Sequence, residues 1–209
     1  MMNTNTPAGD TPVTYRRPRL RRIGALRELL NSVFFIAAAL IISELAFPRS
    51  SISGPSMEPT LCTGQHLLIS RLDYLFGEPR HGDIAVFDPP DSAEDMLIKR
   101  VIGVPGDLIE IRDREVYRNG EKLDEPYFYY APCSLGMCPD RTWQLKEGEY
   151  FLAGDNRNHS RDSRAFGAVP RDQIVGKALF RYFPLDRIGS LYVPNTGDVR
   201  ECFPDESEN

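Results

Sequence analysis

Three short segments of the sequence concentrate residues that could share one reaction: "SGPSMEPTL" around Ser56, "MLIKRVIGV" around Lys99, and "GDNRNHSRDSRAFG" from Gly154 to Gly167. A serine hydroxyl is a weak nucleophile until a neighbouring base takes its proton. Histidine is the usual base, but the G-x-S-x-G elbow fails here because Glu58 stands where its last glycine would be. His66 lies on a strand-like run, His81 just before a turn-like "GD", and His159 in a polar loop, so each reads as a surface or structural residue.

Lysine is the alternative base, provided its amine is neutral near pH 7, which requires desolvation or nearby positive charge. Read as a strand, "MLIKRVIGV" places Leu97, Lys99 and Val101 on one face and Ile98, Arg100 and Ile102 on the other. Lys99 then emerges between apolar neighbours, where burial disfavours the ammonium form; the competing reading sets it on the solvent face of an edge strand. The third segment is either a solvated loop or a buried polar network. In the second case Asp155 and Asp162 accept from Arg164 or backbone amides, and a hydroxyl such as Ser160 orients the lysine amine. Pro55 and Pro59 fix φ and remove donors, presenting Ser56 on a stiff turn, and Pro55 biases Gly54 toward extended geometry.

The elements that must position these residues are short. From residue 48 to about 194 the chain runs through "HLLIS", "DIAVF", "MLIKRVIGV", "DLIEI", "EVYR", "EYFLAG" and "KALFRYF", punctuated by Gly, Pro, Asn and Asp. This predicts a mainly β domain, an antiparallel sheet or barrel-like body. Residues 110–144 read as a β-hairpin and loop insertion, with Asn119-Gly120 supplying the positive φ values of a type I′ turn.

Before this domain, the apolar stretch from Leu29 to Phe47 would span roughly 28 Å as a helix, close to a bilayer core of roughly 30 Å. A membrane anchor is the expectation. A cleaved signal is disfavoured by the long basic region and the lack of a small-x-small site in "SELAFPRS", and a buried soluble helix competes because Glu44 is costly deep in lipid. Arg16, Arg17, Arg19, Arg21, Arg22 and Arg27 crowd residues 1–28, which places the N-terminus in the cytoplasm and residues 48–194 outside it, followed by a loose tail at 195–209. The net charge of −5 disfavours nucleic-acid binding. In an oxidising setting Cys133 and Cys138 read as a local disulfide; zinc is the alternative, with loose spacing and no histidine pattern nearby, while Cys62 and Cys202 have no assigned partner.

Taken together, the three segments resemble the bacterial type I signal peptidases, membrane-bound serine endopeptidases with a Ser-Lys dyad. "SGPSMEPTL" is similar to the family's S-M-x-P-T box, "IKRVIGVPGD" to its K-R-x-x-x-x-P-G-D box and "GDNRNHSRDSR" to its G-D-N-x-x-x-S-x-D-S-R box. The resemblance runs from about Leu29 to Gly189 and implies the roles that follow. Ser56 is the acylated nucleophile and Lys99 its general base; Ser160 orients the lysine, and Asp155, Asp162 and Arg164 hold the third segment near the dyad. It implies an oxyanion hole built on the Ser56 N–H; where some members add a serine hydroxyl two residues earlier, this chain has Gly54, with Ser53 a displaced substitute. It further implies preprotein signal peptides and membrane lipid as partners, proximity to the secretion machinery, and no metal or organic cofactor. Small residues are preferred just before the cleaved bond and two positions further back, with Ile52 and Met57 as candidate pocket residues. A non-catalytic anchored β domain that binds exported segments is the alternative from another class.

Overall fold

The computed structural model describes residues 20–91, 96–125, 138–191 and 202. The chain divides into two compact units, residues 1–41 and 42–209. Helix α1, Leu20–Ala46, begins nine residues before the stretch marked out by hydropathy, and its segment Gly24–Ala46 is long and apolar enough to cross a bilayer. Its large side chains from Leu26 to Leu45 are exposed, as expected of a helix whose solvent is lipid.

Among the described residues, the sheets of the second unit are antiparallel throughout. Its strands are β1 (Arg49–Ser51), β2 (His66–Ser70), β3 (Ile84–Phe87), β4 (Leu97–Gly103), β5 (Leu108–Arg112), β6 (Glu115–Arg118), β7 (Glu121–Lys122), β8 (Arg141–Gln144), β9 (Glu149–Ala153), β10 (Val169–Pro170), β11 (Ile174–Phe183) and β12 (Gly189–Ser190). Two four-residue helices, α2 (Leu72–Leu75) and α3 (Ser163–Phe166), sit in the connections. The main sheet runs β1-β2-β11-β3-β4-β9-β10, with β12 added to the far part of β11. A separate sheet, β7-β6-β5-β8, is formed by residues lying between β4 and β9 in sequence.

Every strand-like run read from the sequence is a strand, because alternation of apolar side chains is satisfied on both faces. On β4, Leu97 and Val101 join a cluster with Ala85, Phe87, Tyr150, Leu152 and Val169. Ile98 packs instead against Ile52, Met57, Leu61, Leu67 and Val86. Asn119 and Gly120 have φ of 55° and 83°, the pairing a type I′ turn demands. The β5–β6 turn uses the same left-handed region at Asp113 and Arg114 (φ 52° and 67°), a turn without glycine that composition did not mark.

Cys62 and Cys202, left unassigned by sequence, form a disulfide across 140 residues with Cα atoms 5.3 Å apart. Cys138 is also disulfide-bonded, whereas Cys133 lies outside the described residues.

Candidate active site

Ser56 stands on a tight turn clamped from below. The Leu61 N–H donates to the Met57 carbonyl (2.8 Å) and the Glu58 N–H to that of Pro55 (3.1 Å), while Met57 and Leu61 are both fully buried. Burying two such side chains stabilises the turn's attachment by roughly 2 kcal/mol each, which is why Met57 is a core peg here and not a pocket residue. Gly54 has φ of +87°, so the extended geometry expected before Pro55 is not adopted: the turn that lifts Ser56 needs a left-handed residue, which glycine supplies without strain. A serine hydroxyl at that position would come with a strained backbone. The Ser56 N–H has no hydrogen-bond partner among the described residues.

Lys99 comes from β4, which lies between β3 and β9 in the sheet order, and its burial overturns the solvent-face reading. Its side chain is 2% exposed, and its amine donates to Ser56 Oγ at 2.7 Å and to the Ile98 carbonyl at 2.8 Å. Burial pulls the amine down to about 8; Asp162 and Asp155 oppose that shift and Arg164 assists it. At that value the amine is available as a base under mildly alkaline conditions.

The third segment is the buried network, not a solvated loop. Asp162 is fully buried and accepts from Ser160 Oγ (2.6 Å), the Gly154 N–H (2.9 Å), and Arg164 Nε and Nη2 (2.8 and 2.7 Å). Burial alone would raise its carboxyl, but the bonds and charge of Arg164, with those of Ser160 and Gly154, hold it below the ordinary value. Ser160 therefore spends its proton on Asp162, and the Lys99 amine finds its partners in Ser56 and Ile98.

Asp155 ties all three segments together. It forms a two-pronged pair with Arg100, Nε to Oδ1 at 2.8 Å and Nη2 to Oδ2 at 2.6 Å, and accepts from Thr60 Oγ1 at 2.6 Å. Arg100 and Thr60 escaped the sequence reading; the charged residue beside Lys99, on the opposite face of the same strand, was the available signal. Arg164 reaches further, donating to the Arg157 carbonyl (2.9 Å) and lying 3.0 Å from Cys138 Sγ, while Arg157 pairs with Glu125.

The histidines serve elsewhere. His81 bonds Asp107 of the "PGD" turn at 2.7 Å, His66 packs against Tyr182 and Phe183, and His159 lies 3.4 Å from the Asn156 side chain.

Gly154 is a second position where only glycine fits. The Asn156 N–H donates to the Ser56 carbonyl at 3.1 Å, drawing the loop against the nucleophile turn. A β-carbon at Gly154 would lie 2.4 Å from the Ser56 carbonyl oxygen and 2.3 Å from Ser160 Oγ. Gly154→Ala is expected to shift Ser56 off its amine partner, destabilising the fold by about 1–3 kcal/mol and lowering kcat well beyond any change in KM. Thermal melts and steady-state kinetics of the variant check this; wild-type kcat would contradict it.

Ser56 and Lys99 line a groove of about 400 Å³, with Ile52, Ser53, Met96 and Ile98 also on its walls. Two stretches of sheet edge border it: the outer edge of β1, and β4 from Leu97 to Lys99, since β9 pairs with β4 only from Arg100 onward.

Comparison with known proteins places this geometry in context. A family model described as signal peptidase, peptidase S26, matches residues 26–183. A signal peptidase IB of Staphylococcus aureus is 36% identical over 186 residues, covering 80% of this chain and 96% of the relative. A probable signal peptidase I-2 of Synechocystis sp. is 39% identical over 145 residues, 67% of this chain and 65% of that protein. Among solved structures, a signal peptidase I from Enterococcus faecalis matches with 34% identity and a TM-score of 0.43, covering 48% of this chain and 96% of the other.

Proposed function

Because the chain belongs to the signal peptidase, peptidase S26 family, we propose that it cleaves the N-terminal signal peptides of exported preproteins, with Ser56 as nucleophile and Lys99 as general base. The observation that carries this reading is the 2.7 Å contact between a buried lysine amine and the serine hydroxyl. When the amine is neutral the same contact runs in reverse, the hydroxyl donating, and the proton moves to Nζ as Oγ attacks the scissile carbonyl. The unpartnered Ser56 N–H stabilises the oxyanion. The Lys99 ammonium then protonates the leaving amine, and the neutral lysine activates the water that releases the acyl-enzyme. Ser160, Asp155, Asp162 and Arg164 act as positioning residues: they hold the loop whose Gly154 and Asn156 abut the nucleophile turn.

The substrate lies in the groove as an extended strand, drawing main-chain hydrogen bonds from the free edges of β1 and β4. Small side chains before the cleaved bond suit the wall at Ile52 and Ile98.

The chain is membrane-anchored, and the arginines ahead of α1 favour a cytoplasmic N-terminus with a single crossing and the β domain outside. The Cys62–Cys202 disulfide supports that side, since such bonds persist in oxidising compartments. Membrane lipid is thus one partner, signal peptides another, and the secretion machinery a neighbour.

The pH dependence follows from Lys99. Only the neutral amine is a base, so kcat/KM should rise with pH to a plateau, with its acid limb near 8 and about a hundredfold loss two units below that. The test is cleavage of a preprotein by the detergent-purified protein across pH 5–10. Absence of cleavage throughout, or full activity retained at pH 5, would count against the reading.

A further inference from the structure

The groove holding the dyad does not end at its own walls. Arg71 and Val175 also line a second cavity of about 490 Å³, whose other walls are Ile42, Leu45, Ala46, Leu72, Tyr74, Leu75 and Ile174. One side is therefore the last turn of α1 and the other is α2, joined where the Arg71 N–H donates to the Ala46 carbonyl at 3.0 Å. The lining is mostly apolar, with Arg71 and Tyr74 as its residues that carry polar groups.

Helix α2 is firmly mounted. Arg171 donates to the carbonyls of Tyr74 and Gly77 and pairs with Glu78, which also accepts from Tyr150 at 2.8 Å, while Tyr74 is buried beneath. The remaining side chains point outward: Leu75 is 69% and Phe76 83% exposed. A rigid support presenting apolar residues to the outside marks a binding surface.

The occupant follows from the chemistry of the substrate. A signal peptide carries an apolar stretch of roughly 7–15 residues immediately before its small-residue cleavage site. With the scissile bond at Ser56, that stretch must leave the groove on its upstream side, whereas the mature chain downstream is soluble. Among the described residues the groove continues into apolar surface at Arg71 and Val175, where the membrane helix itself ends. We infer that this second cavity receives the C-terminal end of the substrate's apolar segment, so that upstream apolarity is read apart from the small residues at the cleaved bond. The inference rests on the signal-peptide reading above and assigns Leu72 and Leu75 as specificity residues.

The test uses the full chain in detergent micelles and two substrates with the same cleavage site: a preprotein with its whole signal peptide, and a short peptide covering only the residues around the scissile bond. The Leu72→Gln/Leu75→Gln variant changes exposed side chains, and its fold is checked by its melting temperature. For the preprotein its kcat/KM should fall about 10- to 100-fold, mainly through KM, while the short peptide is cleaved at the wild-type rate. Equal losses on both substrates, or none on either, would overturn the assignment. So would a loss confined to lipid vesicles and shared by both substrates, which would make a lipid chain the occupant. Failure of the parent reading looks different: the wild type then cleaves neither substrate, or Ser56→Ala cleaves both, and the cavity's role falls with it.

Discussion

Replacing Ser56 by alanine or Lys99 by methionine should lower kcat/KM on a preprotein by roughly 10⁴-fold or more, and the double variant should be hardly worse than either single one, because the two groups act as a unit. Lys99→Met carries a second, opposite effect. Holding the amine at about 8 in a buried site, against 10.5 when unfolded, costs about 3 kcal/mol at neutral pH. The sign follows from proton binding. Between pH 8 and 10.5 the unfolded chain holds a proton that the folded chain has released, so wild-type stability rises through that window. Below 8 the penalty is present in full, and above about 10.5 it is gone. A methionine of similar shape removes it, so the inactive variant should be more stable than wild type at pH 7 by about 2–3 kcal/mol and should match it near pH 11. A Lys99→Met protein that cleaves normally, or that is destabilised at pH 7, would contradict this account of the buried amine.

The second large effect belongs to Asp155. It is 1% exposed, and its two oxygens serve Arg100 and Thr60, each from a different one of the segments that meet at the site. Asp155→Ala leaves the Arg100 guanidinium, itself 4% exposed, without its carboxylate. Breaking one side of such a pair costs about 3–5 kcal/mol, which for a domain of this size lowers the melting temperature by about 10 °C. Replacing both partners, as Arg100→Met/Asp155→Leu, should recover much of that loss, since an apolar pair removes the uncompensated charge. Calorimetry on the three variants distinguishes this from a simple cavity, for which the double replacement would be no better than the single one.

The meeting of Ser56 and Lys99 was legible through the order and spacing of three segments that together resemble one family. Taken alone, the prolines around Ser56 and the strand alternation around Lys99 left a plain loop serine and a solvent-face lysine open. The strands were legible from local pattern, each alternating face having a cluster to fill. What spacing concealed is what depends on distant partners. Thr60 and Arg100 meet Asp155 across 95 and 55 residues, and Cys62 meets Cys202 across 140. None of these contacts follows from the periodicity of a segment. The turn geometry at Gly54 was misjudged because the restriction Pro55 places on its neighbour is weaker for glycine than the pull of the buried Met57 and Leu61 on the turn. Ser160 was read as a hydroxyl that orients the lysine; the bond it makes is a donation to the Asp162 carboxylate two residues on, which spacing alone did not single out. Helix α2 has too few residues for an amphipathic pattern and is held by Arg171 from nearly a hundred residues away.

The central claim is that Lys99 can be a neutral base next to Ser56. The chain contains four lysines, Lys99, Lys122, Lys146 and Lys177, so isotopically labelled lysine gives a spectrum sparse enough to follow side chain by side chain, with Lys99→Met identifying the resonance of interest. Titrating that resonance by NMR in detergent micelles is the most direct measurement. The account predicts a midpoint near 8 for Lys99, coincident with the acid limb of kcat/KM. A Lys99 that titrates near the ordinary lysine value of about 10.4, in an enzyme that still cleaves its substrate at pH 8, would contradict it.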